Sequence, residues 1–165
     1  MRELMHGYLR DRHLLLVLDN LEHLLEAAPK VAELLASCPS LKILATSRAP
    51  LRIRAEREYP VAPLTVPNLA LTPDVVSVIE TPAAGLFVER ARESNPSFSL
   101  TQKNAAAVAA ICWRLEGVPL ALELAAARAR FLGPTELLSH LDQALEADGA
   151  RDLPVRQRTM RATLD

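Results

Sequence analysis

Two polar clusters sit where chemistry could be done. Asp19 and Asn20 end the apolar run Leu14-Leu15-Leu16-Val17-Leu18. A lone buried carboxylate is too costly to serve as packing. At the carboxyl end of a strand, where open α/β sheets bind their ligands, such an acid suits a Mg2+ ion beside a nucleotide. The open alternative is that Asp19 or Asn20 caps the helix that follows. Ser47-Arg48 sits at the carboxyl end of a second, short strand, Leu41-Lys42-Ile43-Leu44-Ala45-Thr46. A guanidinium at a strand end suits a phosphate, and the bland alternative is a solvated loop cation.

The elements that must position these residues follow from periodicity. Leu14–Leu18 has no polar alternation, so it reads as a parallel strand buried on both faces. Leu21, Leu24, Leu25, Ala28, Val31, Leu34 and Leu35 recur at helical spacing, with Glu22, Glu26, Lys30 and Glu33 off that stripe. This predicts one amphipathic helix, with Glu22 near its start suiting the helix dipole, ended by Cys38-Pro39-Ser40. Strand, helix, strand with short links makes a crossover unit. Asp19 and Arg48 then emerge on one edge of one sheet. Tyr59–Leu64 reads as an edge strand, since its prolines cannot serve a central ladder. Pro60, Pro63, Pro67, Pro73 and Pro82 mark a linker over 66–81. Beyond it the pattern is helical: one helix opens at Thr81-Pro82, the next at Thr101, a third at Pro119 and a fourth at Gly133-Pro134-Thr135. The tail 147–165 is charged.

Composition narrows the function classes. The 165 residues are 50% hydrophobic but only 4% aromatic, which favours helices over an all-β fold. A net charge of -1 supplies no global field toward nucleic acid. Arg52, Arg54 and Arg57 are offset by Glu56 and Glu58, so no direct nucleic-acid contact is expected from this segment. Cys38 and Cys112 read as buried thiols, and His6, His13, His23 and His140 lack ligand spacing. No apolar run approaches a membrane span and Met1-Arg2-Glu3 opens no signal peptide, so the expectation is a cytoplasmic protein with no membrane partner.

Three segments in order carry a resemblance: Leu14–Asn20, Ile43–Arg48 as ILATSR, and Ile111–Ala127 as ICWRLEGVPLALELAAA. Together they resemble the NB-ARC-like module of the signal-transduction ATPases with numerous domains. These are P-loop NTPases found in bacterial transcriptional regulators of the LuxR and SARP types. The resemblance implies an α/β fold, the C-terminal part of a parallel-sheet P-loop NTPase domain followed by a small helical lid. The expected divisions are 1–65 for the partial nucleotide-binding domain, 66–81 for the linker, 82–146 for the lid and 147–165 for a tail leading to a winged helix. It also implies ATP or ADP with Mg2+ as cofactor and a Walker B role for Asp19, the metal-associated acid. Arg48 becomes the sensor of the terminal phosphate, and both it and Asp19 count as catalytic. Asn20 lies in the nucleotide site, where many relatives carry a second acid. Pro119 would pack on the adenine, with Gly117 setting its turn.

The family's Gly-rich loop ending Gly-Lys-Ser/Thr is not in this sequence. An amide at position 20 cannot act as a general base. The expectation is therefore a regulatory ATP/ADP switch module, or a fragment of one, resembling a slow ATPase but inactive as this chain alone. Its partners are nucleotide and other domains of a larger regulator, a P-loop segment upstream and the winged helix downstream. Self-association is expected through Leu41–Thr46, which lacks a neighbouring strand. The competing reading is a nucleotide-free interaction scaffold of the same fold. A DNA-reading helix-turn-helix at Asn104–Arg130 is the third. Its second helix begins Pro119-Leu120-Ala121-Leu122-Glu123, with no side chain able to read base edges.

Overall fold

The computed structural model describes residues 7–70 and 73–147, and the tail from 148 onward lies outside the described residues. The chain divides into two compact units, Met1–Pro60 and Val61–Asp165.

In the first unit, strand β1 (Leu14–Leu18) pairs in parallel with β2 (Leu41–Ala45), from Leu14 opposite Leu41 to Leu18 opposite Ala45. A parallel pair needs a crossover, and residues 21–37 supply it. That crossover is not the single helix the spacing predicts. It is a 3₁₀-helix over Leu21–Ala27, distorted at Leu24, followed by helix α1 over Ala28–Ser37. Pro29 is the cause: it has no N–H for the Leu25 carbonyl, and its ring crowds that carbonyl. The Leu25 carbonyl accepts instead from the N–H of Ala28.

Leu34, Cys38 and Leu41 form this unit's core, with Leu9, Leu16 and Ile43 packed against it. The expectation of a strand buried on both faces is corrected. Leu15 and Val17 of β1 are 61% and 60% exposed, and Leu44 of β2 is 58% exposed. Alternation along each strand places these residues on one face and Leu16 and Ile43 on the other. Among the described residues, only the face toward α1 is covered.

The second unit is helical: α2 (Val75–Ile79), α3 (Pro82–Ser94), α4 (Ala105–Arg114), α5 (Pro119–Arg128) and α6 (Pro134–Ala147). Phe87, Ile111, Leu115, Leu122, Leu137 and Leu141 fill its core. Buried alanines on α3 (Ala84, Ala91) and α5 (Ala121, Ala125) keep the helix surfaces low, so neighbours approach closely. The stretch read as a linker belongs to this unit. Val78 on α2 is fully buried, Val66 and Val75 pack on the same core, and Ala83 N–H donates to Thr65 O at 3.1 Å. Prolines obscured α2, whose start is fixed by the Asp74 carboxylate accepting from Val76 and Ser77 N–H.

Residues 59–64 form no strand; Tyr59 and Val61 are exposed, and Leu64 alone ties back, donating to Gly117 O at 2.9 Å. Both cysteines are buried free thiols. Among the described residues no helix is long and apolar enough to cross a membrane.

Candidate functional site

The parallel register sets the first cluster. With Leu18 opposite Ala45, the next residues out, Asp19 and Thr46, stand side by side at the carboxyl ends of the two strands. Thr46 N–H extends the ladder to Leu18 O at 2.9 Å, and Leu21 N–H donates to Thr46 O at 2.9 Å. The Thr46 hydroxyl accepts from Asn20 N–H at 2.9 Å and donates to Asp19 Oδ1. One hydroxyl thus fixes both the carboxylate and the backbone behind it. Asn20 sits in the left-handed region at φ 63°, which asparagine tolerates better than most residues. Neither the Asp19 nor the Asn20 side chain caps the 3₁₀-helix: Asp19 goes to Thr46, and no cap bond from Asn20 is made.

The second strand end is tied the other way. Arg48 Nε lies 3.2 Å from Glu22 Oε1; the arginine side chain is 79% exposed and the glutamate 14%. With its amide oriented to satisfy its neighbours, Asn20 Nδ2 donates to Glu22 Oε1 at 2.6 Å, and its Oδ1 accepts from His23 Nε2 at 3.3 Å. Glu22 therefore serves Arg48 and Asn20, a closer use than the helix dipole it was expected to suit. The structure brings Asp19, Asn20 and Arg48 together through two residues that sequence reasoning passed over, Thr46 and Glu22. Thr46 was recoverable from the strand register. Glu22 was not, because its path to Arg48 depends on the left-handed turn at Asn20.

This cluster holds two carboxylates and one guanidinium, so it repels a bare phosphate and favours one that arrives with a cation. Among the described residues no group of three or more acidic, histidine or cysteine side chains could hold a metal ion. Asp19 with the Thr46 hydroxyl is too small a set to strip Mg2+ of its waters. It fits a Mg2+ that keeps several waters and takes further oxygens from a phosphate.

The other two expected site residues, Gly117 and Pro119, lie in the helical unit. Helix α4 ends in a Schellman turn: Glu116 N–H donates to Trp113 O at 3.0 Å and Gly117 N–H to Cys112 O at 3.2 Å. Glu116 and Gly117 have φ 52° and 67°. A Cβ on Gly117 would fall 2.0 Å from Leu64 O, so no other residue fits. Pro119 then opens α5 with its ring exposed.

A cleft of about 360 Å³ in the same unit is lined by Leu69, Ala110, Trp113, Arg114, Leu138 and Asp142. It contains none of the expected site residues. Its one charged pair, Arg114 Nε to Asp142 Oδ1 at 3.0 Å, is close but off the line of a hydrogen bond. Trp113 is half exposed there. Burial pushes the Cys112 thiol up to about 12, so it is no nucleophile.

Comparison with known proteins adds a regulatory context. The chain is similar to mycobacterial regulators. Over 161 residues it is 44% identical to proteins of Mycobacterium bovis and Mycobacterium tuberculosis, each named "Putative HTH-type transcriptional regulator". The match covers 96% of this chain and 17% of those proteins, so the chain spans about a sixth of their length. An uncharacterized protein of Mycobacterium tuberculosis is 40% identical over 162 residues, covering 96% of this chain and 38% of that one. No family model matches the chain, and no solved structure matches it.

Proposed function

We propose that the chain is a regulatory ATP/ADP-binding switch module of a transcriptional regulator. Its first unit would be part of a parallel-sheet P-loop NTPase domain and its second a small helical lid. The observation that carries this reading is the pair of strand-end charges. Asp19 is held by Thr46 and Arg48 by Glu22, at neighbouring carboxyl ends of parallel strands, where such sheets bind ligands. Asp19 would hold Mg2+ through water, and the ion would supply charge neutralisation for the phosphates. Arg48 would meet the terminal phosphate. In the helical unit, the exposed Pro119 ring at the rigid Gly117 turn suits one face of an adenine.

A switch fits better than a turnover enzyme. Asn20 offers no proton acceptor for water, and its amide is engaged on Glu22. The relatives' names support a regulatory role for the larger proteins. They do not make α4 and α5 a DNA reader: Ala121, Leu122, Ala125 and Ala126 are buried, and Glu123 pairs with Arg90 at 3.2 Å. A second reading, a nucleotide-free interaction scaffold, is favoured by the exposed Leu15, Val17 and Leu44.

Arg48→Ala separates the two readings. An exposed ion pair is worth up to about 1 kcal/mol, so the switch reading expects the ATP-over-ADP preference to fall about fivefold while ADP affinity holds. Equal loss for both nucleotides, or no effect on either, would return Arg48 to the status of a surface cation. Equilibrium titration with Mg·ATP and Mg·ADP measures it.

A further inference from the structure

Glu22 is a near-buried carboxylate in the first turn of the 3₁₀-helix, with its side chain 14% exposed. Two groups hold it: the Asn20 amide at 2.6 Å and Arg48 Nε at 3.2 Å. Arg48 is the exposed partner of the pair, and its nearest approach to Glu22 is on the Nε side, an ion pair off the line of a hydrogen bond. A guanidinium carries five N–H donors, four of them on the two Nη atoms. Among the described residues nothing hydrogen-bonds those four. A carboxylate that competed with an incoming anion would take the forked Nη edge, where bidentate pairing is strongest. One that meets the group on the Nε side leaves that edge open.

We propose that Glu22 is a positioning residue for Arg48: anchored by Asn20, its charge draws the guanidinium in from the Nε side and leaves the Nη edge to an oxyanion. That the oxyanion is a nucleotide phosphate rests on the switch reading above; the positioning does not. A long arginine side chain otherwise loses much rotamer freedom on binding. Holding it beforehand removes part of that cost from the binding step. The chain of contacts also joins the two strand ends. Asn20, whose backbone N–H is held by Thr46 just past β2, is linked through Glu22 to Arg48, two residues further on.

The test uses the 165-residue chain with its arginine side chains labelled for NMR. In the wild type, the Arg48 Nε–Hε group is expected to show the restricted motion of an ordered side chain. Glu22→Ala should release it to the mobility of a free surface arginine. Glu22→Gln, which keeps the side chain's size but removes the charge of the ion pair, should release it as well. The backbone amides of Leu21 and Thr46, reporting the strand-end bonds, should keep their protection in both variants. Arg48 order unchanged in Glu22→Ala would overturn the proposal. Titration with magnesium pyrophosphate adds a signed readout. Positioning predicts that Glu22→Ala weakens the response at Arg48 about two- to fivefold, although the variant removes a negative charge. A stronger response would show that Glu22 competes for the anion, and would also overturn it. If neither protein responds to pyrophosphate, the nucleotide reading fails, and the order measurement alone decides the role of Glu22.

Discussion

Gly117→Ala tests the turn that joins α4 to α5, and its cost follows from three terms in the structure. The residue has φ 67°, where an L side chain costs roughly 1–2 kcal/mol. Its new Cβ would lie 2.0 Å from Leu64 O, and Leu64 is backbone held to the same residue at 2.9 Å. The neighbour must move, which costs about 1–3 kcal/mol as for other overpacked sites. Movement also sacrifices the Leu64 to Gly117 hydrogen bond, about 1 kcal/mol. The sum is about 3–6 kcal/mol, a large part of the 5–15 kcal/mol that holds an ordinary domain. For a domain of about 100 residues, even the low end lowers Tm by about 12 °C. Far-UV circular dichroism is the assay, because the helices of the second unit dominate that signal. The neighbouring Glu116→Gly should move the melt the other way, by about 1 kcal/mol or less, since Glu116 also stands in the left-handed region at φ 52°. A Gly117→Ala melt within about 2 °C of wild type would refute the reasoning.

Two further predictions concern pH. The Cys112 thiol is pushed by burial from its ordinary 9.0 up to about 12, so the native state holds its proton more tightly than the unfolded chain. Stability from this group is full below about pH 9 and drains as pH rises from there toward 12, by at most about 1.4 kcal/mol per pH unit. Urea titrations at pH 8 and pH 10 should show a steeper loss in wild type than in Cys112→Ala, and equal slopes would contradict it. Asp74 has its carboxyl held below the usual 3.8 by Ser77 N–H, with help from the Ser77 hydroxyl and Val76 N–H. Its contribution is present above pH 3.8 and lost as pH falls through the lower folded value. Hydrogen exchange at the Val78 and Glu80 amides of α2 should therefore be faster in Asp74→Ala at neutral pH and converge with wild type in acid. A difference that persists in acid would mean the cap is not the cause.

Legibility in the sequence varied with the physics behind each element. The two strands and the α3 to α6 helices were readable because apolar spacing and proline starts act locally. Pro29 was equally visible, but an apolar stripe running through it masked its effect on the Leu25 carbonyl. The linker reading failed at α2 because prolines at 73 and 82 flank a short helix whose cap, Asp74, is itself a turn residue. The fully buried strand failed for a non-local reason: a run of five apolar residues states what a strand can bury, and the neighbours it has decide what it does bury. At the site, Asp19 and Arg48 announced themselves by residue type at strand ends. Their partners, Thr46 hydrogen-bonded to Asp19 and Glu22 ion-paired with Arg48, are set by strand register and by one left-handed residue, Asn20.

Whether the strand ends of the first unit receive a Mg-bound phosphate chain is tested directly by amide-resolved NMR of the 165-residue chain titrated with Mg·ATP. This sequence holds no Gly-rich loop ending Gly-Lys-Ser/Thr, so the amide cradle that supplies most phosphate recognition is absent and only weak binding is expected. The account predicts saturable shifts at Asn20, Leu21, Thr46, Ser47 and Arg48 with a Kd of about 1 mM or weaker, reduced in both Asp19→Ala and Arg48→Ala. Still resonances at those positions up to about 10 mM nucleotide, or shifts that survive both substitutions, would contradict it.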